Sequence, residues 1–146
     1  MTQRANGVFV PNQSLGDYMK DMLDGTKVVA VALGTGTAGG GVASWQNPEA
    51  TPIIIRRAWV DVTTVATAAG TVSVGATPTS ATTSSANLID TLDVHSATGV
   101  FDNLNSAGTN GKSIQKLAVG KWVTASQATG AVAGLAGNLY IEYTTT

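Results

Sequence analysis

The chain has no cysteine. Disulfide frameworks and thiolate zinc sites are thereby excluded, and the redox compartment is left open. It has one histidine, His95, so a histidine-based metal cluster lacks its second ligand. Charged residues make up only 12% of the sequence and the formal net charge is −1. There is no basic surface to gather phosphates and no acidic tail, so nucleic acid is not an expected partner. No stretch approaches the ~18 consecutive apolar residues of a membrane span, and MTQRANGVFVPNQ at the N-terminus lacks the apolar core of a secretory leader. The expectation is a soluble protein made in the cytosol, with no membrane partner.

Aromatic residues are also scarce, at 5%, and lysine and glutamate are few. The helix-forming surface residues of an α or α/β protein are therefore missing. What fills the sequence is Ala, Thr, Gly, Ser and Val. Thr and Val suit pleated strands, Gly and Ser suit turns, and 146 residues suffice for one domain with its own core. The composition predicts an all-β protein.

One stretch argues for something else. VVAVALGTGTAGGG (residues 28–41) places Gly34, Gly36 and Gly39 at the spacing G-x-G-x-x-G after an apolar run. In a dinucleotide fold those glycines lead the pyrophosphate onto the N-terminus of a following helix. The continuation GGVASWQNPEATP adds glycines, Pro48 and Pro52, with no helical periodicity. The acidic residue that a ribose would need about 20 positions on is not suitably placed: Glu49 comes too early, in the Pro-flanked loop, and Asp61 lies beyond the next apolar run. A flexible Gly-rich connection after a strand is expected instead.

Helical periodicity occurs once, in NQSLGDYMKDMLDG, where Leu15, Tyr18, Met19, Met22 and Leu23 share one face. Ser14 with Asp17 marks its start and Gly25 its end. From there on the pattern is strands: KVVAVAL (27–33), IIIRRAWVDVTTV (53–65), TVSVG (71–75), NLIDTLDV (87–94), KLAVG (116–120), KWVTAS (121–126) and NLYIEYTTT (138–146). Arg56-Arg57 breaks the alternation of the second and predicts a bulge or a change of neighbour. In the last, Leu139, Ile141 and Tyr143 share one face. ATPTSATTSSAN (76–87) reads as a long surface loop too polar to pack. Short strands at intervals with Gly and Ser turns, and no strict repeat, predict an antiparallel β-sandwich, jelly-roll-like, with a barrel as the second choice. Residues 1–25 form an extended arm carrying the one short N-terminal helix, and residues 26–146 the β domain.

Candidate chemistry is thin. His95, with Asp90 or Asp93 behind it and Ser96 or Ser113 as nucleophile, has the residue types of acyl transfer but no recognisable spacing and no G-x-S-x-G elbow. It is expected to be a surface or hydrogen-bonded histidine. The loop FDNLNSAGTNGKS (101–113) offers Asp102, Asn103, Asn105 and Asn110 as oxygen ligands for calcium, but not at EF-hand spacing, and Asn110-Gly111 is a tight-turn signal. Asp61 and Glu142 are the pair a glycosidase would need facing one cleft. Trp59 and Trp122 fall in apolar strands and are expected in the core, whereas Trp45, in ASWQNP, is expected to be an exposed anchor in a loop. No cofactor, metal or catalytic residue is expected.

The stretches AWVDVTTVATAAGTVSVGATPTS (58–80), SANLIDTLDVHSATGVFDN (85–103) and LAGNLYIEYT (135–144) are similar to small structural proteins of tailed bacteriophages, the capsid decoration (cement) and head-fibre-like proteins. The matching features are VDVTT, GTVSVG, NLID, the GTNGK turn and G-N-L-Y-I-E-Y. The resemblance implies a virion protein with a sandwich or jelly-roll fold, often trimeric. Such a protein is made in the host cytoplasm and binds the major capsid protein on the outer surface of the head. The N-terminal helix lies outside the resemblance. Residues 1–25 are expected to anchor the protein to the capsid through Val8, Phe9, Val10, Leu15, Tyr18, Met19, Met22 and Leu23. The competing expectation is a receptor- or glycan-binding head of a tail or head fibre, using Trp45 and the Asn-rich loop.

Overall fold

The computed structural model describes residues 25–34, 41–77 and 83–146. Among them are nine strands and no helix: β1 (Thr26–Ala32), β2 (Gly41–Gln46), β3 (Ile53–Thr64), β4 (Gly70–Thr77), β5 (Ile89–Asp93), β6 (Gly99–Asp102), β7 (Gln115–Leu117), β8 (Trp122–Gly130) and β9 (Ala136–Thr145). The expected N-terminal helix and arm, with all eight of their candidate capsid contacts, lie outside the described residues.

All pairings are antiparallel, and they make two sheets in a sandwich-like arrangement. The first runs β1-β9-β3-β6, with β7 pairing to β3 beyond the end of β6; the second runs β2-β8-β4-β5. Period-two alternation supplies the core. Ile53, Ile55, Ala58, Val60 and Val62 of β3 and Leu139, Ile141 and Tyr143 of β9 are buried from the first sheet. Val72, Val74, Ile89, Leu92, Val123 and Ala125 are buried from the second. A fully buried side chain of this kind contributes about 1.5–3 kcal/mol, and one apolar face on each sheet is sufficient to hold the two together.

The doubled arginine does what the sequence suggests. Ile55 pairs with Tyr143 and Arg57 with Glu142, so Arg56 is the extra residue of a bulge. By strict alternation Ile55 and Ala58, three positions apart, would fall on opposite faces; the bulge turns both into the core.

Several expectations need correction. The connection after the glycines is followed at once by a strand: Gly41–Gln46 pairs with β8, and Val42 and Ala43 are buried. Trp45 therefore sits in β2 rather than in a loop, and residues 35–40 of the Gly-rich stretch lie outside the described residues. β6 was not expected, and β7 spans Gln115–Leu117 where 116–120 was anticipated. The polar stretch 76–87 is not simply a surface loop. β4 continues through Thr77, and the chain from Thr83 to Asn87 folds back over the outer side of the second sheet. There the Thr124 hydroxyl donates to the Thr83 carbonyl (2.8 Å), and Asn87 both accepts from the Ala76 N–H (2.8 Å) and donates to its carbonyl (3.2 Å). Gly75 makes room, because a Cβ there would lie 2.3 Å from the Ser85 hydroxyl. Polar segments pack when their groups find partners, as Thr83 and Asn87 do here; residues 78–82 of the stretch lie outside the described residues.

Candidate functional site on the outer face of the first sheet

Beyond the bulge, alternation turns Arg57, Trp59 and Asp61 of β3 away from the core. On neighbouring strands the same face carries Asn138, Tyr140 and Glu142 of β9 and Val100 and Asp102 of β6. Register fixes the rows: Trp59 lies between Tyr140 and Asp102, Arg57 beside Glu142, and Asp61 between Asn138 and Val100. The Trp59 and Tyr140 rings stack with centroids 5.2 Å apart and planes 9° from parallel. Such offset pairs add about 0.5–1.5 kcal/mol beyond the area they bury and hold each ring in one orientation.

Beside this stack is an open cavity of about 250 Å³ lined by Arg57, Trp59, Val100, Asp102 and Glu142. Arg57 donates to the Asp102 carboxylate at 2.6 Å. That guanidinium, followed by the Asn105 and Leu104 N–H groups, holds Asp102 down at about 2. A general acid for glycoside cleavage needs the opposite shift. Asp61 and Glu142 do share this face, as the sequence suggested, but Asn138, the β9 partner of Asp61, is four residues from Glu142 along β9. At about 3.4 Å per residue that is roughly 14 Å, beyond the roughly 5–10 Å of glycosidase carboxylates. The arrangement is suited to binding.

Trp59 was expected in the core and is instead half-buried on this face; Trp122 is half-buried as well. The sequence held the signal for Trp59: in A-W-V-D-V it has the same parity as Asp61, and a face that carries a lone aspartate is a solvent face. Trp45 is half-buried against the core, its ring 5.1 Å from that of Tyr143, rather than standing free. Beneath it the Glu49 carboxylate accepts from Lys27 Nζ (2.8 Å) and the Tyr143 hydroxyl (2.9 Å). Lys27 and then Tyr143 lower the Glu49 pKa, while burial and Glu49 push Tyr143 up to about 12.

The acyl-transfer residues do not assemble. His95 is exposed, and its Nδ1 donates to the Ala66 carbonyl at 2.8 Å. Ser96 Oγ donates to Asp93 at 2.5 Å, and the same carboxylate accepts the His95 and Ser96 N–H groups. Asp93 thus closes a turn, and its pKa is lowered chiefly by the Ser96 hydroxyl. Asp90 is engaged elsewhere, accepting from Asn110 Nδ2 at 2.6 Å. In the loop 101–113 the oxygens are used by the loop itself: Asp102 accepts from the N–H groups of Leu104 (3.0 Å) and Asn105 (2.7 Å). Asn103 is buried with its amide fully engaged. Among the described residues no group of three or more His, Asp or Glu side chains is placed to share a metal ion.

Comparison with protein-family models, curated proteins and solved structures finds no match.

Proposed function

We propose that the chain is a jelly-roll structural protein of a phage virion, which decorates and stabilises the outer surface of the head through protein–protein contacts. The observation that carries this reading is the strand order. With β7 counted as the continuation of β6 along β3, β1-β9-β3-β6 stands over β2-β8-β4-β5, eight antiparallel strands shared between the sheets in the manner of two Greek keys. That architecture is used by viral capsid and lectin domains. A fold alone does not give a function. The virion assignment draws on the resemblance of 58–80, 85–103 and 135–144 to phage decoration and head-fibre-like proteins, segments that include most of β3, all of β4 to β6 apart from their flanks, and most of β9.

The partners in this reading are the major capsid protein and further copies of the chain, a trimer being the expected form. Residues 1–25 are the anchoring arm. Among the described residues the buried core begins at Leu33. The first test is copy number in purified particles by quantitative mass spectrometry against the major capsid protein. Copies comparable to the capsid protein support lattice-wide decoration, a handful moves the protein to a tail or fibre, and absence ends the virion reading. The second deletes residues 1–25: the remainder is expected to fold and to lose head binding, and undiminished binding would refute the arm.

A further inference from the structure

We propose that the outer face of the first sheet carries a binding site for a neutral saccharide, centred on Trp59. The argument begins with the ring. Trp59 is held flat against Tyr140, 9° from parallel, so its orientation is set before any ligand arrives and little freedom is lost on binding. A pyranose presents an apolar C–H face to such a ring and hydroxyls at its edge. The hydroxyls need groups that accept and groups that donate, close to the plane of the platform. Asp102 and Glu142 accept, Arg57 donates, and all three line the cavity that Trp59 and Val100 complete.

Size and charge narrow the class. A volume of about 250 Å³ is below the roughly 300–1,000 Å³ of pockets that enclose a drug-sized ligand. It suits a single ring, with the rest of an oligosaccharide in solvent. Arg57 is already paired with Asp102, whereas Glu142 has no ion pair or side-chain hydrogen bond among the described residues. The site therefore has an excess of negative charge, which repels sialic and uronic acids and leaves neutral hexoses and N-acetylhexosamines. A purely protein-docking face would be expected to surround Val100 with further apolar groups; here carboxylates and a guanidinium surround it. None of the residues of this site belongs to residues 1–25, to which head binding is assigned in the proposed function, so either proposal can fail alone.

The test uses the full chain and saturation-transfer NMR with chitotriose, cellotriose and lactose as neutral probes and sialyllactose as the acidic one. At least one neutral probe is expected to receive saturation and the acidic probe not to. Trp59→Ala should weaken binding roughly tenfold or more, as loss of a central Trp anchor does. Trp59→Phe should retain part of the affinity, and Glu142→Ala should cost roughly tenfold through the lost charged acceptor. Circular dichroism of each variant checks the fold; should Trp59→Ala misfold, the Phe and Glu142 variants decide. The proposal is overturned if no neutral probe binds, if sialyllactose binds better, or if Trp59→Ala binds like the unaltered chain. It is equally overturned if the unaltered chain binds no sugar and Trp59→Ala instead dissociates an oligomer, which would assign the face to a second copy.

Discussion

Asn103 stands at the point along β3 where β6 has ended and β7 has not begun. Its Oδ1 accepts from the Ala58 N–H (2.9 Å), its Nδ2 donates to the Lys112 and Ser113 carbonyls (2.9 and 3.1 Å), and its own N–H donates to the Ala58 carbonyl (3.0 Å). One amide side chain thus stands in for the missing strand. Asn103→Ala strands a buried N–H and removes the donor to two carbonyls, and is expected to cost about 2–4 kcal/mol in urea denaturation. Asn103→Asp keeps the acceptor but loses the donors and places a charge in a buried site, so it should be no milder. Thr91 argues the other way. It is β-branched yet has φ 53°, in the bulged part of β5, where its N–H donates to Ser73 Oγ. Left-handed backbone costs such a residue about 1–2 kcal/mol, of which glycine recovers most while losing about 0.5–1 kcal/mol to a freer unfolded chain. Thr91→Gly should therefore raise the thermal midpoint slightly, and a fall would show that the side chain is itself needed. In the sequence Asn103 read as a turn residue or calcium ligand and Thr91 as part of a strand, because the Ala58 partner of Asn103 and the Ser73 partner of Thr91 stand 45 and 18 residues away.

The bulge in β3 makes a sharper prediction at the scale of the element. Because Arg56 is the extra residue, deleting it leaves Ile53, Ile55, Ala58, Val60 and Val62 all facing the core. That variant should fold, at a cost of a bulge's local twist. Deleting Trp59 instead puts Val60 and Val62 on the solvent face, and a one-residue slip of this kind inverts every side chain beyond it. It should fail to give a cooperative thermal transition. Gly137 in β9 is a second fixed point: its φ is +147°, and a Cβ there would lie 1.8 Å from the Asp61 carbonyl oxygen. Gly137→Ala must separate β9 from β3, and a loss above about 3 kcal/mol is expected, read by the same denaturation assay. β1, β3, β4, β5, β8 and β9 were legible because their alternation is strong or their apolar runs are bounded by turns. β2 and β6 were not: GVASWQ and GVFD are short, begin at glycine and owe their strand conformation to β8 and β3. Pairing decided them where local pattern had little to say.

At the scale of the molecule, ionisable groups are few, and all the perturbed ones but Asp93, whose shift is local to its turn, tie distant parts of the chain together. The binding face was half-legible in the same way: parity placed Trp59 with Asp61, but which strand brings Tyr140, Glu142 and Asp102 to it is a matter of sheet order. The Arg57–Asp102 pair links β3 to β6, and Lys27, Glu49 and Tyr143 link β1, the turn after β2, and β9. Asp102 is lowered from 3.8 to about 2, and Glu49 and Asp93 are lowered from 4.5 and 3.8. A lowered carboxylate binds its proton more weakly folded than unfolded, so its contribution is complete above the unfolded value and is lost as pH falls through the folded one. Tyr143, raised from 10.0 to about 12, keeps its proton longer when folded, so its contribution is complete below 10 and is lost as pH rises toward 12. The thermal midpoint followed by circular dichroism should therefore be flat from about pH 5 to about pH 9 and decline on both sides. Arg57→Gln removes the main cause of the Asp102 shift and should flatten the acid decline while lowering the plateau. Tyr143→Phe should remove the part of the alkaline decline that lies between pH 10 and 12. If both variants keep the slopes of the unaltered chain, these two clusters do not set its pH limits.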